Sequence, residues 1–133
     1  MLPKLESEIV QLHQFFQDWF NGVLPFTEEN FSRFEGVLDP DFILINPFGV
    51  ILNRDELVES LRSAHKTIKG IRIWIEDSIV HQISEDISLA TYQEWQEKEG
   101  HTTSRLSTAV FQSKPGTPNG FIWVHVHETW INS

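Results

Sequence analysis

The sequence predicts an α+β fold, with three N-terminal helices packed on one face of an antiparallel meander sheet. Three observations carry that expectation. Apolar residues recur at spacings of three and four through residues 3–66, the period changes to two from Gly70 onward, and an unbroken aromatic and β-branched run closes the chain from Phe121 to Trp130. Helices first and strands after favour an antiparallel sheet covered on one side by helices.

Residues 3–21 form the first expected helix, with Leu5, Ile9, Leu12, Phe16 and Trp19 as its stripe and Phe15 and Phe20 widening it. Pro3 suits a first helical position and Asn21-Gly22 a stop. Thr27 is the expected N-cap of a second helix, whose stripe Phe31, Phe34 and Leu38 ends at Asp39-Pro40. Phe42-Ile43-Leu44-Ile45 then reads as a strand, turned by Asn46-Pro47-Phe48-Gly49 into Val50-Ile51-Leu52. Asn53 and Glu56 make a capping box for a third helix, with Leu57, Leu61 and Ala64 facing inward. Four strands follow: residues 71–83, 87–96, 102–112 and 121–130.

A chain of 133 residues with ten Phe, five Trp and 40% hydrophobic residues has the size and composition of one domain, residues 1–133, with its own core. The net charge of −9 disfavours nucleic acid and anionic membrane surfaces, because phosphate binding needs a basic face. No apolar run approaches the roughly 20 residues of a membrane span. The N-terminus lacks the basic-then-apolar order of a secretory signal, and the chain has no Cys, so a cytoplasmic location is expected. Neither a cofactor nor a metal is expected; two histidines on one strand are too few ligands for zinc.

The candidate site lies on the last strand. Strict alternation puts Phe121, Trp123, His125, His127 and Thr129 on one face, with the two imidazoles about 7 Å apart. His125 and His127 are therefore the candidate acid and base, expected to point at the helices. Arg105, with Ser107 on the same strand face, suits either bidentate capture of a ligand carboxylate or an ordinary salt bridge to one of the nineteen acids.

Two motifs extend this reading. Leu44-Ile45-Asn46-Pro47-Phe48-Gly49 resembles the strand and Asp-Pro-x-Gly turn of ketosteroid isomerase and the SnoaL-like polyketide cyclases. Val124-His125-Val126-His127-Glu128-Thr129 resembles the closing strand of the association domain of calmodulin-dependent kinase. With the order of elements, these identify the chain as a member of the nuclear transport factor 2-like (cystatin-like) superfamily. The resemblance implies a strongly curved sheet wrapping three helices into a cone with an internal pocket, and a convex face that dimerises.

Carried over by position, the isomerase base falls on Asn46, and an amide has no usable basicity near neutral pH. The isomerase tyrosine of the first helix has no counterpart, since the sole tyrosine is Tyr92; the kinase-domain pocket arginines fall on Gln93 and Ala109. Isomerase chemistry is thus not expected. The leading expectation is a pocket for a small apolar or aromatic ligand, lined by Phe15, Trp19, Phe34, Asn46, Trp74, Arg105, Ser107 and Trp123. The alternative is a small cofactor-independent enzyme of isomerase, cyclase or dehydratase type, with His125 or His127 as general base. Ile122, Val124, Val126 and Trp130, beside Leu106, Thr108 and Val110, are expected to form an outer apolar face covered by a second copy.

Overall fold

In the computed structural model, which describes residues 2–131, Leu5, Ile9, Leu12 and Trp19 of the expected stripe are buried along helix α1 (Leu2–Asn21) together with Phe15, while Phe16 is half-buried. Gly22 follows at φ 75°, where a Cβ would strike the Lys66 side chain, so glycine ends the helix for two reasons. Thr27 caps α2 (Glu28–Glu35) by accepting from the Asn30 N–H. Asn53 and Glu56 close a full capping box on α3 (Arg54–Ser63).

The strands are β1 (Leu38–Ile45), β2 (Ile51–Asn53), β3 (Arg72–Gln82), β4 (Ile87–Lys98), β5 (His101–Ser113) and β6 (Phe121–Trp130). They form one six-stranded sheet in the order β2-β1-β6-β5-β4-β3. The meander β3 to β6 is antiparallel throughout, as expected, and β1 adds to β6 by a parallel pairing, so the complete sheet is mixed. Leu38, expected on the second helix, instead opens β1: α2 stops at Glu35, and Asp39-Pro40 lies inside the strand where its register with β6 is interrupted. Proline is tolerated there because a bulge needs no ladder N–H.

The sheet is curved and unclosed, a cone with the helices in its concave side. Register breaks supply sharp bends: between Glu76 and Ile79 on β3, where Asp77 adopts φ 53°, and opposite Val110 and Phe111 on β6. Side-chain amides of α1 fasten it to β3, Gln17 Oε1 accepting from the Ile73 N–H (2.8 Å) and Asn21 Nδ2 donating to the Ile71 carbonyl (2.9 Å). The Trp19 indole donates to the Leu61 carbonyl at 2.7 Å and ties α1 to α3. No helix among the described residues is long and apolar enough to cross a membrane.

Candidate functional site

The bulge on β6 decides which side chains reach the concave side. Phe111 pairs with Trp123 and Val110 with His125, which leaves Val124 as an extra residue without a partner on β5. One extra residue inverts the alternation beyond it. Trp123 is buried and inward, but Val126 and Glu128 then take the inner face, while His125 is half-buried and His127 exposed on the outer one. The expected inward placement of His125 and His127 is therefore corrected, and so is the expected outward placement of Val126 and Trp130.

The concave side holds a half-open cavity of about 160 Å³. Its apolar wall comes from α1 (Leu12, Phe16, Phe20), from Phe34, from Leu57 and Leu61, and from Phe42 and Leu44. Its polar end comes from His13, Tyr92, Glu94, Gln96, Arg105 and Glu128. Strand register assembles that end, since Arg105 on β5 faces Glu94 on β4, and Ser107 lies between Tyr92 on β4 and Glu128 on β6.

The polar end is an ordered set of charges. His13 Nδ1 donates to the Ile9 carbonyl at 2.7 Å, and Nε2 lies 3.2 Å from Glu94 Oε1. Gln96 Nε2 donates to Glu94 Oε2 at 2.7 Å. Arg105 Nη1 reaches Glu128 Oε1 at a longer 3.3 Å, its guanidinium lies 4.8 Å from the Trp130 ring centroid, and its Nε has no hydrogen-bond partner. Burial alone would lower the His13 pKa, but the charge and hydrogen bond of Glu94 outweigh it and hold the imidazole above its usual 6.5. Burial likewise works against the Glu94 anion, yet His13, with help from Arg105 and Gln96, brings its pKa down to about 2. Glu128 goes the other way: burial first, then the Glu94 charge, push its carboxyl up to about 7 against the pull of Arg105. The Tyr92 phenol is held well above its usual range by burial and by both carboxylates.

Of the expected ligand residues, Phe34, Arg105 and Trp123 line the cavity. Phe15 and Trp19 lie in the core behind it, ring centroids 5.5 Å apart, and their neighbours Phe16 and Phe20 take the lining positions. Ser107 is fully buried near Tyr92 but outside the lining, with no hydrogen-bond geometry at its Oγ. Trp74 lies on the outer face, stacked on Trp95 at 6.1 Å. Asn46 serves its own turn, its Oδ1 accepting from the Phe48 and Val50 N–H groups at 2.9 and 3.0 Å. The sequence reading missed His13, Glu94 and Glu128 as cavity residues. Their signal was a lone polar residue beside an apolar stripe and two acids in period with buried neighbours. No group of three or more His, Cys, Asp or Glu side chains suited to hold a metal ion occurs among the described residues.

A cone of three helices on a curved mixed sheet, hollow and polar at its inner end, defines a nuclear transport factor 2-like protein. An NTF-2 like protein of unknown function from Pseudomonas aeruginosa superposes with a TM-score of 0.86 at 26% identity, covering 97% of this chain and 99% of that one. The CamKII hub homology domain of a Chlamydomonas alga shares the fold at TM-score 0.71 and 14% identity, covering 98% of each chain. Within that fold, residues 5–132 match the family described as sucrose-6-phosphate phosphohydrolase C-terminal, and the chain belongs to it. Sucrose-phosphatase 2 of Nicotiana tabacum is 29% identical over 128 residues, and probable sucrose-phosphatase 3a of Arabidopsis thaliana 25% over 127. Both alignments cover 94% of this chain and 30% of the plant protein, so the chain spans less than a third of these relatives' length.

Proposed function

We propose that this domain is a binding module whose cone takes one small molecule with an apolar or aromatic body, and that it works as a homodimer. The observation that carries the first part is the cavity itself. At about 160 Å³ it is close in size to apolar cavities of ~150 Å³ that accept benzene, so one six-membered ring fits. Its phenylalanine and leucine wall supplies burial, and the polar end supplies orientation. The alternative in which His125 or His127 acts as base has little support, because neither imidazole lines the cavity. The plant relatives carry the name of a sucrose phosphatase, but they are much longer chains, and that activity is not assigned to this domain. Calorimetric titration with single-ring compounds tests the reading. Micromolar to millimolar binding, abolished when Phe16→Trp fills the wall, is expected; no binding by any ring-sized compound would sink it.

The homodimer reading rests on the outer face. Leu106 and Ile51 are exposed there, with Ile122, Val124, Val110, Ile43 and Ile45 half-buried beside them, and no helix among the described residues covers that side. A contiguous apolar patch of this kind is more than a monomer usually leaves in water, and a two-fold interface needs only one self-complementary patch. Association domains are among the proteins with this fold, including that of a nematode CaMKII. Light scattering should give twice the 15.5 kDa chain mass for the wild type and the single mass for Val124→Glu, with the circular dichroism unchanged. A monomeric wild type at micromolar concentration would refute this part alone.

A further inference from the structure

The polar end of the cavity holds four ionisable side chains whose charges must be balanced away from water. His13 and Glu94 form one pair and Arg105 and Glu128 another. The pairs are unequal. Glu94 also accepts from Gln96 and faces both the imidazole and the guanidinium, whereas Glu128 has a single contact at 3.3 Å. Arg105 correspondingly makes one hydrogen bond among the described residues, and a guanidinium carries five donors. A half-buried cation whose buried Nε has no partner, beside a weakly held acid at the end of a ring-sized apolar cavity, is the arrangement a flat organic anion would complete.

Counting charge decides how such an anion could enter. With His13 and Arg105 cationic and Glu94 anionic, an ionised Glu128 leaves the set neutral, and a protonated Glu128 leaves it with one excess positive charge. A ligand carboxylate added to the neutral set would be an uncompensated buried anion, which is strongly disfavoured. Added to the protonated set, it restores neutrality, and the Glu128 carboxyl becomes a second donor beside Arg105. We propose that the inner end of the cavity binds the carboxylate of a small aromatic or alicyclic acid on Arg105, and that each acid anion enters with one proton, carried by Glu128. The proposal deepens the binding-module reading and rests on it.

The groups facing Glu128 are His13 from α1, Tyr92 and Glu94 from β4, and Arg105 from β5; α2, α3 and β1 present only apolar side chains to the cavity. The Glu128 carboxyl, raised to about 7, changes protonation in the range where the effect is measurable. His13 stays cationic below its own raised value, so it acts in the same direction.

Calorimetry of the whole chain with benzoate, benzyl alcohol and inorganic phosphate separates the possibilities. Benzoate affinity should fall about tenfold between about pH 6 and about pH 8, as the protonated fraction of a group titrating near 7 does. Titrations in two buffers of different ionisation enthalpy should show proton uptake approaching one per benzoate at the higher pH. Benzyl alcohol should bind without proton uptake, and phosphate should not bind. Glu128→Gln keeps a donor amide and should leave benzoate binding with only the smaller pH dependence that His13 contributes. Arg105→Gln should lose benzoate and keep benzyl alcohol, with circular dichroism confirming that each variant is folded. Benzoate binding indifferent to pH, binding of benzyl alcohol alone, or phosphate in place of benzoate would overturn the inference and leave the cavity reading intact. Failure of both ring compounds would remove the cavity reading and this one with it.

Discussion

Two buried glutamates, Glu8 and Glu128, live under different rules. Glu8, fully buried on α1, is satisfied on both oxygens: Arg33 donates to Oε2 at 3.2 Å and to Oε1 at 2.8 Å, Asn119 to Oε1 at 2.9 Å and the Trp123 indole to Oε2 at 2.9 Å. Glu128, which lines the cavity, has one such contact among the described residues, at 3.3 Å. Both are nearly inaccessible to water, so burial does not distinguish them. The number of donors does. A carboxylate with its lone pairs filled is a fastening, here joining α1, α2 and the end of the meander; one with a single long contact retains capacity for a ligand or a proton. Trp123 connects the two, because the bond that Glu8 accepts fixes the ring that lines the cavity.

The largest effect expected from this contrast is at Glu8. Glu8→Leu would leave Arg33, Asn119 and the buried Trp123 N–H without their acceptor, and breaking one side of a buried pair costs about 3–5 kcal/mol. Urea denaturation should show that loss, with Trp123 fluorescence shifted even in the folded baseline. A loss below about 1 kcal/mol would mean that water replaces the carboxylate and that the network is not a fastening.

Glu128→Gln should do the opposite at alkaline pH. The folded protein holds the Glu128 proton more tightly than the unfolded chain does. The stability this lends is fully present below the ordinary carboxyl value of 4.5 and is lost as pH rises through about 7. A displacement of that size corresponds to something on the order of 3 kcal/mol, so at about pH 8 the amide variant should exceed the wild type by about 1–3 kcal/mol. His13, also raised, retains a smaller decline in the same direction in both proteins. Parallel melting curves from about pH 5 to about pH 8 provide the check. If the variant is less stable than the wild type at the alkaline end, Glu128 is held as an anion and the contrast with Glu8 disappears.

Local signals in the sequence carried the fold well. The Thr27 cap, the Asn53–Glu56 box and the extent of the last strand were all legible, because each depends on residues within a few positions. The helical period ran one step too far at Leu38, where a short apolar spacing fits a helix end and a strand start equally well. The cavity was less legible. Alternation from Phe121 predicts Trp123 correctly and then fails, because the extra residue at Val124 is set by how β6 pairs with β1 and β5 and not by its own composition. That single residue exchanges two histidines for Glu128 on the inner face. Glu94 was concealed differently, because it opens a stretch rich in charge, Glu94 to Glu99, although it is only 6% exposed. Arg105 was recognisable because a lone cation in an otherwise uncharged strand is rare enough to suggest a partner.

Glu94 lies between the two extremes, and its smaller test sharpens the scale. It has His13 on one oxygen and Gln96 on the other, so it is partnered nearly as fully as Glu8 yet faces the cavity like Glu128. Gln96→Leu removes one charge-assisted bond and leaves the imidazolium pair, which should cost about 1–2 kcal/mol at neutral pH. The sign with pH follows from the lowered carboxyl: the stability Glu94 lends is present above 4.5 and fades as pH falls toward about 2. With one donor gone its pKa must rise, and the loss begins sooner. Acid titration followed by tryptophan fluorescence should therefore place the unfolding midpoint of the variant at higher pH than that of the wild type, while the alkaline limb, governed by Glu128 and His13, keeps its shape. An unchanged acid midpoint would show that His13 and Arg105 hold the anion without Gln96, and that hydrogen-bond number is a poorer guide to these carboxylates than the charge beside them.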